Sequence, residues 1–339
     1  MDHDERNEDA PIEAVTAPLN RRVPLLWALV AAALGSLIAA GTLVMLRVER
    51  GPRPPFLTAP AATSTSRLRS IPPASEDALI FAGSGSNLPL TQVLVEAYRV
   101  RNPHTRMVVH ESIGSSGGIR ALRDGAINIS LVSRPLTEEE TRAGLRALSY
   151  ARVAVVIATN PSVPDACTSR EHFVHLYGRT KAKWIDGSRA VILQRERGDS
   201  SFQVFANLVP GLAEENEAAY REDRWRVLYS DRAMQEALMS TEGAAGIFDL
   251  GAITVHRLPL KVMCVDGVTP SLWSVRTGRY PFWKDLSFVT AGPPSKLASA
   301  FFEFVQSPEG RALTEASGHL ALPVDQDKAD AGAKGGEPW

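Results

Sequence analysis

Three short stretches place small polar residues where strand-like sequence gives way to helix-like sequence. They are "AGSGSNLP" around Ser86, "SIGSSGGI" around Ser115 and "QRERGDSSF" around Asp199. Small residues at such a junction leave the first backbone N–H groups of the helix uncovered. Those groups and the helix dipole favour an anion. The side chains of Ser86, Asn87, Ser115, Ser116, Ser200 and Ser201 add donors, and Gly198 lets the third stretch turn. Only the third stretch brings cations, Arg195 and Arg197. Taken singly, each stretch also fits ordinary helix capping by Ser, Asn or Asp. Three of them in one chain, one beside arginines, point to a shared oxyanion site. Uncharged donors and one or two arginines can offset the cost of burying a charged ligand.

Elements of alternating type must hold these stretches. "ALIFAG", "RMVVHE", "INISLVS" and "ARVAVVIATN" read as strands. Leu88 to Arg101 reads as a helix, with Leu90, Val93, Leu94, Ala97 and Tyr98 on one face. Ile119 to Asp124 reads as a helix that starts after the small residues. "TEEETRAGLRAL" begins a further helix, with Thr137 as cap and Glu140 three residues on. A second block contains "REHFVHLYG" (helix), "RAVILQR" (strand), Ser201 to Leu208 (helix), "RAMQEALMS" (helix) and "AAGIF" (strand). "LSFVTAG" and "KLASAFFEFVQS" close the pattern as strand and helix. The alternation implies α/β architecture with largely parallel sheets.

Bulk composition narrows the function classes. The chain has 339 residues, 44 % of them apolar, enough for a substantial core. Its formal net charge is −1, its basic residues form no stripe, and it carries no nucleic-acid motif, so no nucleic-acid partner is expected. Cys167 and Cys264 fit no zinc spacing, and the sequence leaves open whether they join. His172 and His175 share a helix face without an evident third ligand, so no metal or other cofactor is expected. "RGDS" and "GDS" are four- and three-residue coincidences. A serine hydrolase needs a positioned His and acid, and no spacing nominates them, so the chain does not read as an enzyme.

Val23 to Leu46 is a run of 24 residues without a charged side chain, long enough for a membrane-spanning helix. The competing reading is a cleaved signal, with Ala33-Leu34-Gly35 as the site. The run continues past that point and a 22-residue segment precedes it, so an uncleaved anchor is favoured. Arginines flank both ends, and the positive-inside rule does not orient it. Residues 1–22 read as a polar cytoplasmic tail and 47–77 as a Pro-, Ala-, Ser- and Thr-rich tether. The globular part is 78–323, and 324–339 reads as a frayed tail.

From Leu79 to Pro323 the chain resembles the periplasmic phosphate-binding proteins of ABC importers, in the type II binding-protein superfamily. "GSGSN" resembles that family's first loop, and "IGSSGGI" its most specific motif. "SRPLTEEE" at Ser133–Glu140 resembles the segment after its third strand. Arg195, Gly198, Ser201 and Phe205 fall on its R-x-x-G-S-G-T-x-x-x-F pattern. "YGRTKAKWIDG", "GAAGIF", "TGRYPFWKDLSFV", "FFEFVQSPEG" and "SGHLALP" follow in the family's order.

The resemblance implies a two-lobe periplasmic-binding-protein (Venus-flytrap) fold, preceded here by one N-terminal transmembrane helix. Lobe one would combine about 78–157 with 271–323, and lobe two would be about 159–268. The crossings would lie near Ala158 and Thr269-Pro270. The lobes would close over phosphate or a similar tetrahedral oxyanion. The implied ligands are Ser86, Asn87, Ser115, Ser116, Arg195, and the turn Gly198, Asp199, Ser200 and Ser201. Arg134 stands where many members carry an Asp, and Asp199 replaces a small donor. One reading makes Asp199 the acceptor missing at position 134, with Arg134 beside it as the compensating charge. The other makes Asp199 a helix cap and leaves Arg134 in solvent. Delivery to an ABC permease at the inner membrane, with the lobes on the periplasmic side, is the implied role. An oxyanion-sensing or accessory domain without a transporter is the alternative.

Overall fold

A computed structural model describes residues 78–179 and 181–323. The 23–46 segment, its flanks and the C-terminal tail lie outside the described residues. Among those described, no helix is long and apolar enough to cross a membrane.

The first elements are β1 (Ala78–Gly83), α1 (Leu88–Arg101), β2 (Arg106–Ser112), α2 (Gly114–Arg123), β3 (Ile129–Val132), α3 (Glu138–Arg142) and β4 (Leu145–Thr159). Next come β5 (Cys167–Thr168), α4 (Arg170–Tyr177), β6 (Val191–Arg195), α5 (Ser200–Leu208), α6 (Leu212–Arg221), β7 (Arg226–Leu228), α7 (Asp231–Ser240), β8 (Ala244–Asp249) and α8 (Leu250–His256). The chain finishes with β9 (Lys261–Val262), β10 (Cys264–Val265), α9 (Leu272–Arg276), β11 (Trp283–Ala291), α10 (Lys296–Gln306), α11 (Pro308–Ala316) and β12 (Leu320–Ala321).

The strands run in the order β2-β1-β3-β11-β4-β8-β6-β7. β2, β1 and β3 are mutually parallel, as are β8, β6 and β7. Two antiparallel strands, β11 and β4, lie between these sets, where largely parallel sheets were expected. The physical reason is that the chain passes between lobes in both directions, so its crossing strands oppose. β4 serves both lobes. Leu145 to Ala154 pairs with β11, and Val155 to Thr159 pairs with β8.

Each lobe has its own core. Lobe one packs Leu79, Phe81, Leu90, Leu94, Phe288 and Phe301 on one sheet face, and Ala82, Ile119, Leu122 and Val289 on the other. That two-sided burial explains why "ALIFAG" reads as a continuous apolar run rather than an alternating one. Lobe two packs Ile157, Phe173, Tyr177, Trp184, Phe205 and Phe248. The Trp184 indole donates to the Gly243 carbonyl at 2.9 Å, which ties the "KWIDG" turn to the turn that opens β8.

The crossings differ from the sequence expectation. Val155 to Ala158 already pack in the lobe-two cluster, so the first crossing precedes Ala158. Val275, Tyr280 and Phe282 also belong to lobe two; the Tyr280 hydroxyl donates to the Val155 carbonyl at 2.8 Å and Phe282 stacks on Phe205. The return therefore falls between Phe282 and Leu286, not at Thr269-Pro270. Aromatic burial sets the boundary, and Pro270 only precedes the Ser271 cap of α9.

His319 is buried behind α8, where a Cβ on Gly251 would lie 2.2 Å from its ring. Burial pushes its imidazole down to about 4, against the pull of Ser317 and Asp249. Between pH 6.5 and about 4 the folded chain thus binds fewer protons than the unfolded chain, and stability falls as pH drops. The expected loss across that window is about 3 kcal/mol. Urea denaturation from pH 7 to pH 4 should show it, and His319→Gln should flatten the profile. Parallel profiles for the two proteins would assign the loss to other groups.

Candidate functional site

The first small-residue stretch turns between β1 and α1. Gly83 has φ +144°, and a Cβ there would lie 2.1 Å from the Leu131 carbonyl oxygen, so no side chain fits. The Ser84 N–H donates to that same oxygen at 2.8 Å, which seats the loop on β3. Ser84 and Ser133 then meet through their hydroxyls at 2.8 Å. Asn87 is fully buried, and its amide reaches the Val132 and Ser287 carbonyls and the Tyr150 hydroxyl at 3.3–3.4 Å. Its side chain braces β3, β4 and β11.

The second stretch is itself helical. Helix α2 starts at Gly114, five residues before the expected Ile119. Gly and Ser are poor helix formers, but here docking outweighs propensity. Gly118 lies so close to β1 and β3 that a Cβ would be 2.8 Å from the Gly83 Cα and 2.5 Å from the Ser130 hydroxyl. Its N-cap residue, Ile113, supplies no side-chain bond, and the Gly114 N–H meets the Ser112 hydroxyl at 3.4 Å. The Ser115 hydroxyl accepts from the Ser133 N–H at 3.3 Å.

The third stretch follows β6. Asp199 caps α5, accepting from the Phe202 N–H at 2.8 Å. Its other oxygen lies 3.1 Å from an Arg195 guanidinium nitrogen. Arg195 also bonds Glu196 at 2.9 and 3.0 Å and Asp231 at 2.9 Å. Burial works against its charge, but the Asp231, Asp199 and Glu196 carboxylates outweigh it and hold the guanidinium above its usual range. Burial raises the Asp199 carboxyl, while Arg195 and Lys284 oppose the rise.

These stretches meet across a cavity of about 430 Å³ between the lobes. Of the residues expected from sequence, Ser86, Ser115, Ser116, Arg134, Arg195, Gly198, Asp199 and Ser200 line it. Ser84, Ser112, Arg120 and Asp231 line it as well. Asn87 and Ser201 stand behind the wall. A neighbouring cavity of about 640 Å³ shares Gly85, Ser86, Ser112, Ser230 and Asp231, and adds apolar groups such as Leu88, Val109 and Met239. The smaller cavity is the one faced by both the hydroxyls and the open start of α2.

Arg134 corrects one expectation. Its guanidinium makes two 2.8 Å bonds to Glu140 and reaches the Ser116 hydroxyl only at 3.5 Å. The Thr137–Glu140 capping box is present, and it turns the Glu140 carboxylate back toward Arg134. The Arg134 guanidinium pulls that carboxyl down to about 2. The cations that bear on Asp199 are Arg195 and Lys284, so Arg134 is not its charge partner. Nor is Arg134 in free solvent, because it lines the cleft as half of an ion pair.

Lys284 was missed from sequence. It is 5 % exposed, and its ammonium donates to Ser86 at 2.7 Å, Ser200 at 3.1 Å and Ser201 at 2.5 Å. It pairs with Asp249 at 3.2 Å. A signal was available. Phe282, Lys284 and Leu286 alternate in "FWKDL", and period-two spacing puts the lysine on the buried face. A strand read as "LSFVTAG" begins at Leu286 and hides the pattern.

Cys167 and Cys264 are disulfide-bonded, with Cα atoms 4.4 Å apart, and join β5 to β10 within lobe two. His172 and His175 face each other with ring centres 6.4 Å apart. Among the described residues, no group of His, Cys, Asp and Glu is placed to hold a metal ion.

Comparison with known proteins agrees with this architecture. The phosphate-binding protein PstS of Borreliella burgdorferi is 24 % identical over 256 residues, covering 73 % of this chain and 91 % of that protein. PstS of Bacillus subtilis is 25 % identical over 265 residues, covering 76 % and 84 %. A Clostridium perfringens phosphate ABC transporter substrate-binding protein, solved with bound phosphate, superposes with a TM-score of 0.62 at 21 % identity. That match covers 72 % of this chain and 99 % of the other, and shows the shared fold. The family model for a PBP superfamily domain matches residues 60–309, most of the chain, and the chain belongs to that superfamily.

Proposed function

We propose that this chain binds phosphate, or a similar tetrahedral oxyanion, between its lobes and delivers it to an ABC permease. One observation carries the reading: hydroxyls from both lobes and the open start of α2 converge on one cavity. Of the cations that line it, Arg195 is paired with Glu196, Asp199 and Asp231 and Arg134 with Glu140, while Arg120 has no carboxylate partner among the described residues; Lys284, outside the lining, is paired with Asp249. The cleft therefore holds an anion mainly by aimed N–H and O–H dipoles, with Arg120, unpaired among the described residues, as a cation on its lining. The phosphate-binding relatives support the ligand class. The disulfide suits an extracytoplasmic, oxidising setting, and residues 23–46 would anchor the chain there.

Asp199 would select the anion. An ionised carboxylate only accepts hydrogen bonds, so it favours an anion that still carries a proton. Phosphate does so near neutral pH and sulfate does not. Asn caps a helix about as well as Asp, so Asp199→Asn leaves the start of α5 intact. Calorimetric titration of phosphate and sulfate into the full chain tests both claims. Phosphate should bind, and Asp199→Asn should narrow its advantage over sulfate by at least about tenfold, or roughly 1.4 kcal/mol. No binding of either anion defeats the functional reading. An unchanged ratio in the variant defeats the role of Asp199 alone.

A further inference from the structure

Lys284 is buried and does not line the 430 Å³ cavity; with Ser133, Arg134 and Ser200 it lines an adjoining cavity of about 500 Å³. An ammonium has three donors and no acceptor, so every hydroxyl it touches must accept. Ser201 accepts from Lys284 and gives its own proton to Asp249 at 3.0 Å. Ser86 accepts from Lys284, and its proton is left for the cavity it lines.

Ser200 accepts as well and starts a chain. Its hydroxyl lies 2.8 Å from that of Ser133, which lies 2.8 Å from that of Ser84. Either direction of donation fits those two distances. With Lys284 donating at one end, the proton of Ser200 goes to Ser133 and that of Ser133 goes to Ser84. Ser84 also accepts from the Ser86 N–H at 3.3 Å, so both of its lone pairs are taken. Its proton is then turned toward the cavity, which Ser84 lines. The chain runs from lobe two, at Ser200, to lobe one, at Ser133 and Ser84.

We propose that Lys284 is a positioning residue: its buried ammonium sets the direction of the Ser200–Ser133–Ser84 chain and so presents Ser84 and Ser86 to the anion as donors. This rests on the reading of the cleft as an oxyanion site. Asp249 balances the lysine charge, so Lys284 acts by ordering hydroxyl polarity, not by adding net charge. A polarised chain of this kind is stronger than its bonds taken separately.

Inorganic phosphate titrated into the full chain by calorimetry tests the proposal. Lys284→Met alone would bury an unpaired Asp249, so the working variant is Lys284→Met with Asp249→Asn, which removes both charges together. Its fold is checked by thermal melting. That variant should bind phosphate at least about tenfold more weakly, as expected for losing charge-assisted ordering of two donors. Adding Ser200→Ala should weaken it little further, although Ser200→Ala alone weakens the natural chain, because Lys284 acts through Ser200. Binding within about twofold of the natural chain, or full additivity with Ser200→Ala, overturns the proposal and leaves the oxyanion reading intact. If the natural chain itself fails to bind phosphate, the oxyanion reading fails and the proposal falls with it.

Discussion

Replacing Arg195 by Ala is expected to lower the stability of the chain by about 3–5 kcal/mol, whether or not an anion is bound. From sequence, Arg195 reads as a cationic ligand of the oxyanion site. The structure makes it first a hub, with a side chain 5 % exposed and bonded to Glu196, Asp199 and Asp231. A guanidinium has five N–H donors, and these contacts engage four of them, which leaves one for a ligand. Truncation strands the Asp199 carboxylate, itself 7 % exposed, in the interior. It also frees the turn that carries Ser200. The loss should shrink at acid pH, because a buried carboxyl that already titrates high takes up a proton more readily once its cation is gone. Urea denaturation at pH 7 and pH 5 without added anion measures both effects. A loss below about 1 kcal/mol would leave Arg195 as a ligand and nothing more, and an equal loss at the two pH values would show that Asp199 is not the stranded charge.

Gly118→Val is expected to cost about 3 kcal/mol and to abolish tight phosphate binding. A Cβ at Gly118 meets backbone on two sides, the Gly83 Cα at 2.8 Å and the Ala82 carbonyl oxygen at 3.0 Å. Backbone cannot swing aside as a side chain can, so α2 must lift from β1. Its open N–H groups then move away from the cavity, and the Ser84 loop that starts at Gly83 is disturbed with them. Gly117 is the instructive control. The small-residue stretch makes Gly117 look equally critical, yet a Cβ there meets only the Ile113 side chain, at 3.2 Å. Gly117→Val should cost under about 1 kcal/mol. Thermal melts separate the two variants, whereas binding does not, because Gly117 itself lines the cavity. Equal losses at both positions would show that helix propensity, not the approach of α2 to β1, is what the glycines serve.

Much of this molecule was legible in its sequence because the signals were local. Apolar spacing bounded α1 at Leu88 and Arg101, as observed. Thr137 and Glu140, three residues apart, announced a capping box that is present. The small-residue stretches announced helix starts, and eight of the ten residues they and Ser-Arg nominated line one cavity. Local signals also misled where a neighbour outvoted them. "GSSGG" has poor helix propensity, yet it is helical because its lack of side chains lets α2 dock on β1. "TEEETRAGLRAL" promised a long helix, but α3 stops at Arg142 and Leu145 opens β4, which antiparallel pairing with β11 claims.

Charge partnership was beyond the reach of the sequence. Arg195 finds Asp231 36 residues away, and Lys284 finds Ser86 198 residues away. Periodicity and capping act over a few positions. A buried ion pair forms wherever folding leaves two charges without water, and that place is set by how the strands cross. Only the tertiary structure could decide that Arg134 belongs to Glu140, that Asp199 belongs to Arg195, and that a lysine near the return crossing holds the hydroxyls of both lobes.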